Sequence, residues 1–139
     1  MGLTVLDAGV VIAILDAEDR HHVVARSALG LRLLARDGLV LPASAYAEVL
    51  VAPQRQGESA VRAVDAFLEA LPATIHPVTA EIARVAARLR AEHGRRLQLP
   101  DALVVATAME LKADRVLTTD AGWPELVLAV ELLAGRPSV

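Results

Sequence analysis

The 139-residue chain is predicted to form an α/β fold, a central parallel sheet of four or five short strands flanked by helices in three layers. Three observations predict it. Short apolar runs alternate with longer segments of helical periodicity along the whole sequence. The short runs are apolar throughout rather than on every second residue, as strands covered on both faces require. Apolar residues make up 55% of the chain, enough to bury a core and exclude disorder. The length suits one domain, taken as residues 1–133, with 134–139 (containing Gly135 and Pro137) expected to fray.

The elements follow in order. Residues 3–6 read as a strand and 8–15 as a short helix, apolar nearly all round and therefore buried. A helix over 20–35 starts after Asp19, read as its N-cap, and stops before Gly38. Residues 39–41 form a strand stopped by Pro42. Ser44 is read as the cap of a helix running to Val51, which Pro53 closes. Residues 59–71 are amphipathic, with Val61, Val64, Phe67, Leu68 and Leu71 on one side and Arg62, Asp65 and Glu69 on the other. A strand over 74–78 contains Pro77 and belongs at an edge. Thr79 caps a helix that ends at His93 before Gly94. Pro100 suits the first turn of a helix over 101–113. Residues 116–118 form the fourth strand, and 127–132 a candidate fifth.

Composition removes several function classes. Without cysteine there is no disulfide framework, thiolate nucleophile, iron–sulfur cluster or cysteine-built zinc site. The aromatics are Tyr46, Phe67 and Trp123, too few for rows of base-stacking rings. No apolar run is long enough for a membrane span, and no signal-peptide pattern is evident, so a cytoplasmic location is expected. The formal net charge of −3, taken alone, argues against a nucleic-acid partner.

In open parallel sheets the functional crevice lies outside the carboxyl ends of the strands. Four acids fall at that edge. Asp7 directly follows the first strand, and Asp120 follows the fourth in Val116-Leu117-Thr118-Thr119-Asp120. Glu48 and Asp101 lie on helices whose other residues are largely apolar. Singly, each has an ordinary explanation, such as a helix dipole or a turn. Together they form a convergent set of carboxylates, which repel unless protonated or neutralised by cations. An all-oxygen donor set favours Mg²⁺ or Mn²⁺. Such cations activate water and stabilise charge on a phosphodiester. Setting those four charges aside leaves the rest of the chain marginally positive, so the acidic balance no longer excludes a nucleic-acid substrate.

The pattern resembles the PIN domain family, in particular VapC-type toxin ribonucleases. The resemblance covers nearly the whole chain. It rests on Val5-Leu6-Asp7-Ala8 and the apolar helix after it, on Leu41-Pro42-Ala43 through Ala47-Glu48-Val49-Leu50, and on Leu99-Pro100-Asp101-Ala102-Leu103-Val104-Val105-Ala106-Thr107-Ala108. Leu117-Thr118-Thr119-Asp120 and Trp123 complete it. It implies a Mg²⁺ (alternatively Mn²⁺) site built from Asp7, Glu48, Asp101 and Asp120, with Thr118 as a supporting hydroxyl. It further implies an endoribonuclease acting on RNA, a homodimer or toxin–antitoxin hetero-oligomer, and a VapB-like antitoxin whose C-terminal segment covers the acids. Three positions depart from the family's usual residues. Gly9 stands where Ser, Thr or Asn is frequent, Gly122 where a further acid is frequent, and Trp123 where Phe is common, the last read as conservative.

Arg95 and Arg96 precede Asp101 and are candidate RNA contacts, or equally a solvated loop. A dehalogenase-like phosphatase would need a second Asp at position 9, where Gly9 stands, and a receiver domain would need an acid pair where Ala8 follows Asp7. A PIN nuclease outside toxin–antitoxin systems, and a PIN module that binds RNA or protein without strong catalysis, are the remaining alternatives.

Overall fold

The computed structural model describes residues 1–136. Their elements run β1 (Leu3–Leu6), α1 (Ala8–Leu15), α2 (His22–Leu34), β2 (Gly38–Pro42), α3 (Ala43–Gln56), α4 (Glu58–Ala70), β3 (Ala73–His76), α5 (Ala80–His93), a 3-10 turn (Gly94–Arg96), α6 (Leu99–Glu110), β4 (Arg115–Thr118) and β5 (Val130–Leu132). The strands form one sheet in the order β3-β2-β1-β4-β5, and every neighbouring pair is parallel. The chain adds β2 and β3 on one side of β1, then returns to add β4 and β5 on the other. Crossovers in opposite directions leave a switch point between β1 and β4. Register pairs Leu6 with Leu117, so Thr118 at the end of β4 comes level with Asp7, just after β1.

Two apolar clusters hold the layers. One joins the sheet to α1–α4 through Val5, Leu6, Val10, Val11, Leu41, Val49 and Leu68. The other lies between α5 and α6, through Ile82, Ala86, Leu89, Ala102, Val105 and Ala106. Trp123 packs against both. Burying side chains of this size stabilises the fold by about 1.5–3 kcal/mol each.

At the amino end of the sheet Asp37 ties four segments together. Its carboxylate accepts from Gly2 N at 3.1 Å and Thr4 Oγ1 at 2.9 Å, and pairs with Arg32 at 3.2 Å and with Arg115. Its side chain is only 4% exposed. That burial opposes ionisation, but these hydrogen bonds and the Arg115 charge outweigh it and hold the carboxyl below the usual range. Asp114 Oδ2 adds a bond from Leu3 N at 2.7 Å. These two acids therefore bind the end of the sheet remote from the crevice.

Several boundaries differ from expectation. Pro53 does not close α3, which continues to Gln56. A proline lacks only its own N–H, and the Pro53 carbonyl still accepts from Gly57 N at 3.0 Å. The stop comes at Gly57, whose φ of 125° few other residues adopt. Ser44 is not a cap: the helix starts at Ala43, and the Ser44 hydroxyl is buried without a hydrogen-bond partner. Asp19 is not the α2 cap either; it accepts from His21 N in a turn, and His21 takes the cap position. Strand β3 is shorter than expected but lies at the edge. Val127 is fully exposed and β5 begins only at Val130. Of the tail read as frayed, residues 137–139 lie outside the described residues, while Arg136 N donates to Arg20 O at 3.0 Å. Among the described residues, no helix is long and apolar enough to cross a membrane.

Candidate functional site

Asp7 is set by β1. As the N-cap of α1 it turns its carboxyl back, and the backbone N–H of Ala8 donates to it at 2.9 Å. Thr118 ends β4, the next strand, and its Oγ1 donates to Asp7 Oδ2 at 2.8 Å. The same Oγ1 accepts from Asp120 N at 3.0 Å. Asp120 Oδ1 in turn accepts from Gly122 N at 2.8 Å. One hydroxyl thus ties the first strand's acid to the fourth strand's acid across the switch point. Thr118 is fully buried and Asp7 is 8% exposed.

Asp101 comes from the first turn of α6, where Gln98 is the cap and Pro100 fits without an N–H. Glu48 comes from α3 and, like Asp120, is exposed. The electrostatics tie the four acids together. Burial raises the Asp7 pKa, with a further push from Asp120, against the lowering effect of bonds from Thr118 and Ala8. Burial and then the Asp7 charge raise Glu48. Asp101 is pushed up to about 6, first by burial and then by Asp7, Asp120 and Glu48. Among the described residues none of the four forms an ion pair; the five ion pairs lie elsewhere. Nor do any three acidic or histidine side chains gather closely enough to enclose an ion. The donor set is all carboxylate oxygen, the chemistry that suits a hard divalent cation, and the pKa values of Asp7, Glu48 and Asp101 are raised.

A cleft of about 560 Å³ opens beside Glu48, between α1, α3 and α4, walled by Ile12, Leu15, Val49, Pro53 and Val64. Arg95 and Arg96 are exposed in the 3-10 turn before α6, outside the ion pairs of the described residues.

The profile of the PIN domain family matches residues 4–127. The chain belongs to the PIN domain family. No curated protein sequence matches it. Among solved structures, the chain is similar to VapC20 of Mycobacterium tuberculosis, described as a sarcin–ricin loop cleaving toxin. The identity is 20% over 81% of this chain and 86% of that one, with a TM-score of 0.64. A toxin–antitoxin complex from Klebsiella pneumoniae matches at 21% identity over 96% and 99%, with a TM-score of 0.68. VapBC2 of Rickettsia felis, bound to a promoter DNA fragment, matches at 14% identity over 95% and 99%, with a TM-score of 0.72. At these identities the likeness is one of fold.

Two of the departures from the usual PIN residues acquire a steric reason. A Cβ on Gly9 would land on Thr119 Oγ1, so the Thr119 hydroxyl fills the space a side chain at position 9 would take. A Cβ on Gly122 would lie 3.1 Å from Asp120 Oδ1, the atom its own N–H serves. Both glycines let the segment after β4 close over the first turn of α1 and over itself. Thr119 is the contact the sequence did not single out. The signal for Thr119 was available: a glycine inside an apolar helix costs about 1 kcal/mol relative to alanine and calls for a packing reason.

Proposed function

We propose that this PIN domain is the toxin ribonuclease of a toxin–antitoxin pair, hydrolysing RNA phosphodiesters at the edge formed by Asp7, Glu48, Asp101 and Asp120. The observation that carries this reading is the state of Asp101, pushed up to about 6 among three other acids with no ion-paired side chain. Such a group is incomplete without a cation. The four carboxylates would hold Mg²⁺ or Mn²⁺, which supplies Lewis acidity and a lowered water pKa to phosphodiester hydrolysis. Asp7, held by Ala8 N and Thr118 Oγ1, is the fixed member of the set. Thr118 orients Asp120 through its backbone N–H, and the Gly122 N–H aims the Asp120 carboxylate. Glu48 and Asp120, the exposed members, would be the ones open to solvent and substrate. Arg95 and Arg96 are proposed to contact RNA phosphates. The aromatic count supports recognition through backbone and shape rather than stacking.

The proposed protein partner is a VapB-like antitoxin, with the chain itself forming a homodimer or a toxin–antitoxin hetero-oligomer. The toxin–antitoxin complexes among the similar folds support this partner. The apolar cleft beside Glu48 is a suitable bed for an antitoxin segment, and an arginine or lysine from it would compete with the cation. The alternative of a PIN module that binds without cleaving is favoured by one observation: among the described residues no three acidic or histidine side chains lie close enough to hold an ion. Induced expression of wild type and Asp7→Asn separates them. Growth arrest with new RNA ends for wild type alone supports the toxin nuclease. Neither arrest nor cleavage by wild type contradicts it.

A further inference from the structure

The basic side chains are unevenly spread along the chain. Helix α5 and the turn after it, Ala80–Arg96, hold five of the 14 lysines and arginines and two of the 17 acids, which leaves the rest of the chain with an acid excess. All five are arginines: Arg84, Arg88, Arg90, Arg95 and Arg96. Among the described residues none of these five forms an ion pair, whereas Arg32, Arg62 and Arg115 do. Helix α5 turns Ile82, Ala86 and Leu89 onto α6, against Ala102, Val105 and Ala106. Its opposite side carries Arg84 and Arg88, four residues apart and both exposed, beside exposed Ala83, Ala87 and Ala91. Like charges at that spacing destabilise a helix, so the stability of α5 does not explain the pair. The short alanine side chains leave room for an extended anionic chain to lie along the helix.

The row leads to the acids. Leu97 is fully buried, and Gln98 Nε2 donates to Arg95 O at 3.3 Å. These contacts hold Arg95 and Arg96 at the cap of the helix whose first turn presents Asp101. From its end at His93, α5 runs back along α6, with Arg88 and Arg84 about 8 and 14 Å along its axis. A second copy of the chain is a poor occupant of this face, because symmetric pairing would set arginine against arginine.

We propose that Arg84 and Arg88 continue the contacts of Arg95 and Arg96 into a track for the phosphate backbone of RNA, so that the strand entering the acidic edge lies along α5. The proposal rests on the reading of RNA as substrate, and it says where the strand beyond the scissile bond is held. Guanidinium groups suit the role, since their planar fork meets phosphate oxygens two at a time. Tyr46, Phe67 and Trp123 all lie outside Ala80–Arg96, so the track grips phosphates and does not select bases.

The test is binding of a single-stranded oligoribonucleotide to the full chain, read by fluorescence anisotropy in EDTA across a series of KCl concentrations. Each phosphate contact on a single strand adds about 0.7 to the slope of log affinity against log salt. Arg84→Gln/Arg88→Gln is expected to lower that slope by about 1.4, and Arg84→Lys/Arg88→Lys to keep most of it. The melting temperature of the glutamine variant should equal or exceed that of wild type, because a like-charge pair has been removed. Arg26→Gln/Arg55→Gln removes the same charge from exposed arginines of α2 and α3 and should leave the slope unchanged. With Mg²⁺ present, Arg84→Gln/Arg88→Gln should raise KM for RNA and leave kcat as it was, the pattern of lost uniform binding. An unchanged slope in that variant, or an equal fall in Arg26→Gln/Arg55→Gln, overturns the track and leaves the nuclease reading intact. A changed mass in solution for Arg84→Gln/Arg88→Gln puts the face between copies of the chain and also overturns the track. RNA bound along α5 but never cut with Mg²⁺ keeps the track and removes the nuclease reading. No binding of RNA by wild type overturns both.

Discussion

Asp101→Asn should stabilise the cation-free protein while abolishing its activity. Moving a carboxyl from the ordinary aspartate range to about 6 is a displacement of roughly two pH units, about 3 kcal/mol of native-state cost at neutral pH. Asp101 is only half-buried, and solvent screening reduces this to about 1–2 kcal/mol. For a domain of this size that corresponds to a melting temperature about 3–7 °C higher. The sign follows from linkage. A carboxyl whose folded pKa is raised costs stability fully above about 6, and the cost fades as pH falls from there to the unfolded value near 4. Wild-type protein in EDTA should therefore gain stability between pH 7.5 and 5, and Asp101→Asn should gain less over the same window. Asp7 and Glu48 are raised too, so some of the gain should remain in the variant. The assay is thermal melting in EDTA across that range, repeated with Mn²⁺, which should raise the wild-type midpoint more than the variant's. A variant less stable than wild type at pH 7.5 in EDTA would refute the reasoning, because Asp101 would then be stabilising as a carboxylate.

Thr118→Val removes the hydroxyl shared by Asp7 and the Asp120 backbone at nearly constant volume. Cation affinity or cleavage should fall about 10- to 100-fold, measured by calorimetry and by RNA cleavage rate; an unchanged affinity and rate would show that the shared hydroxyl does not organise the site. Asp37→Ala breaks the ties among Gly2, Thr4, Arg32 and Arg115 at the other end of the sheet. It should lower the melting temperature by roughly 5 °C or more at pH 7 without altering cation affinity. Because the Asp37 pKa is lowered, its contribution is complete above the unfolded carboxyl value and is lost as pH falls through the folded one. The gap between wild type and Asp37→Ala should therefore close in acid.

Much of the fold was legible because its signals are local. Wholly apolar short runs identify β1, β2 and β4, and the Leu99-Pro100-Asp101 step identifies the start of α6 to within two residues. The acids were legible because each directly follows a strand or interrupts an apolar helix. What escaped depends on partners far away in sequence. Asp37 reads as an ordinary acid before a strand, since Arg115 lies 78 residues further on. Ser44 has the right residue type for a cap, but Pro42 at the end of β2 takes the cap position and the helix starts at Ala43, two residues earlier than a Ser44 cap would give. Trp123 reads as a larger phenylalanine until its N–H is seen to be buried without a hydrogen-bond partner. Gly9 is a departure in sequence and a fitted contact in space, and only the return of the chain after β4 reveals the difference.

The central claim is that the four carboxylates bind a divalent cation and that RNA cleavage depends on it. The most direct measurement is cleavage of RNA by the purified chain with Mg²⁺ or Mn²⁺, with EDTA, and with Asp7→Asn in place of wild type. Wild type should cleave only with the cation and recover when EDTA is removed, and Asp7→Asn should lose on the order of 100-fold or more. Equal rates in EDTA, or a wild-type rate from Asp7→Asn, would contradict it.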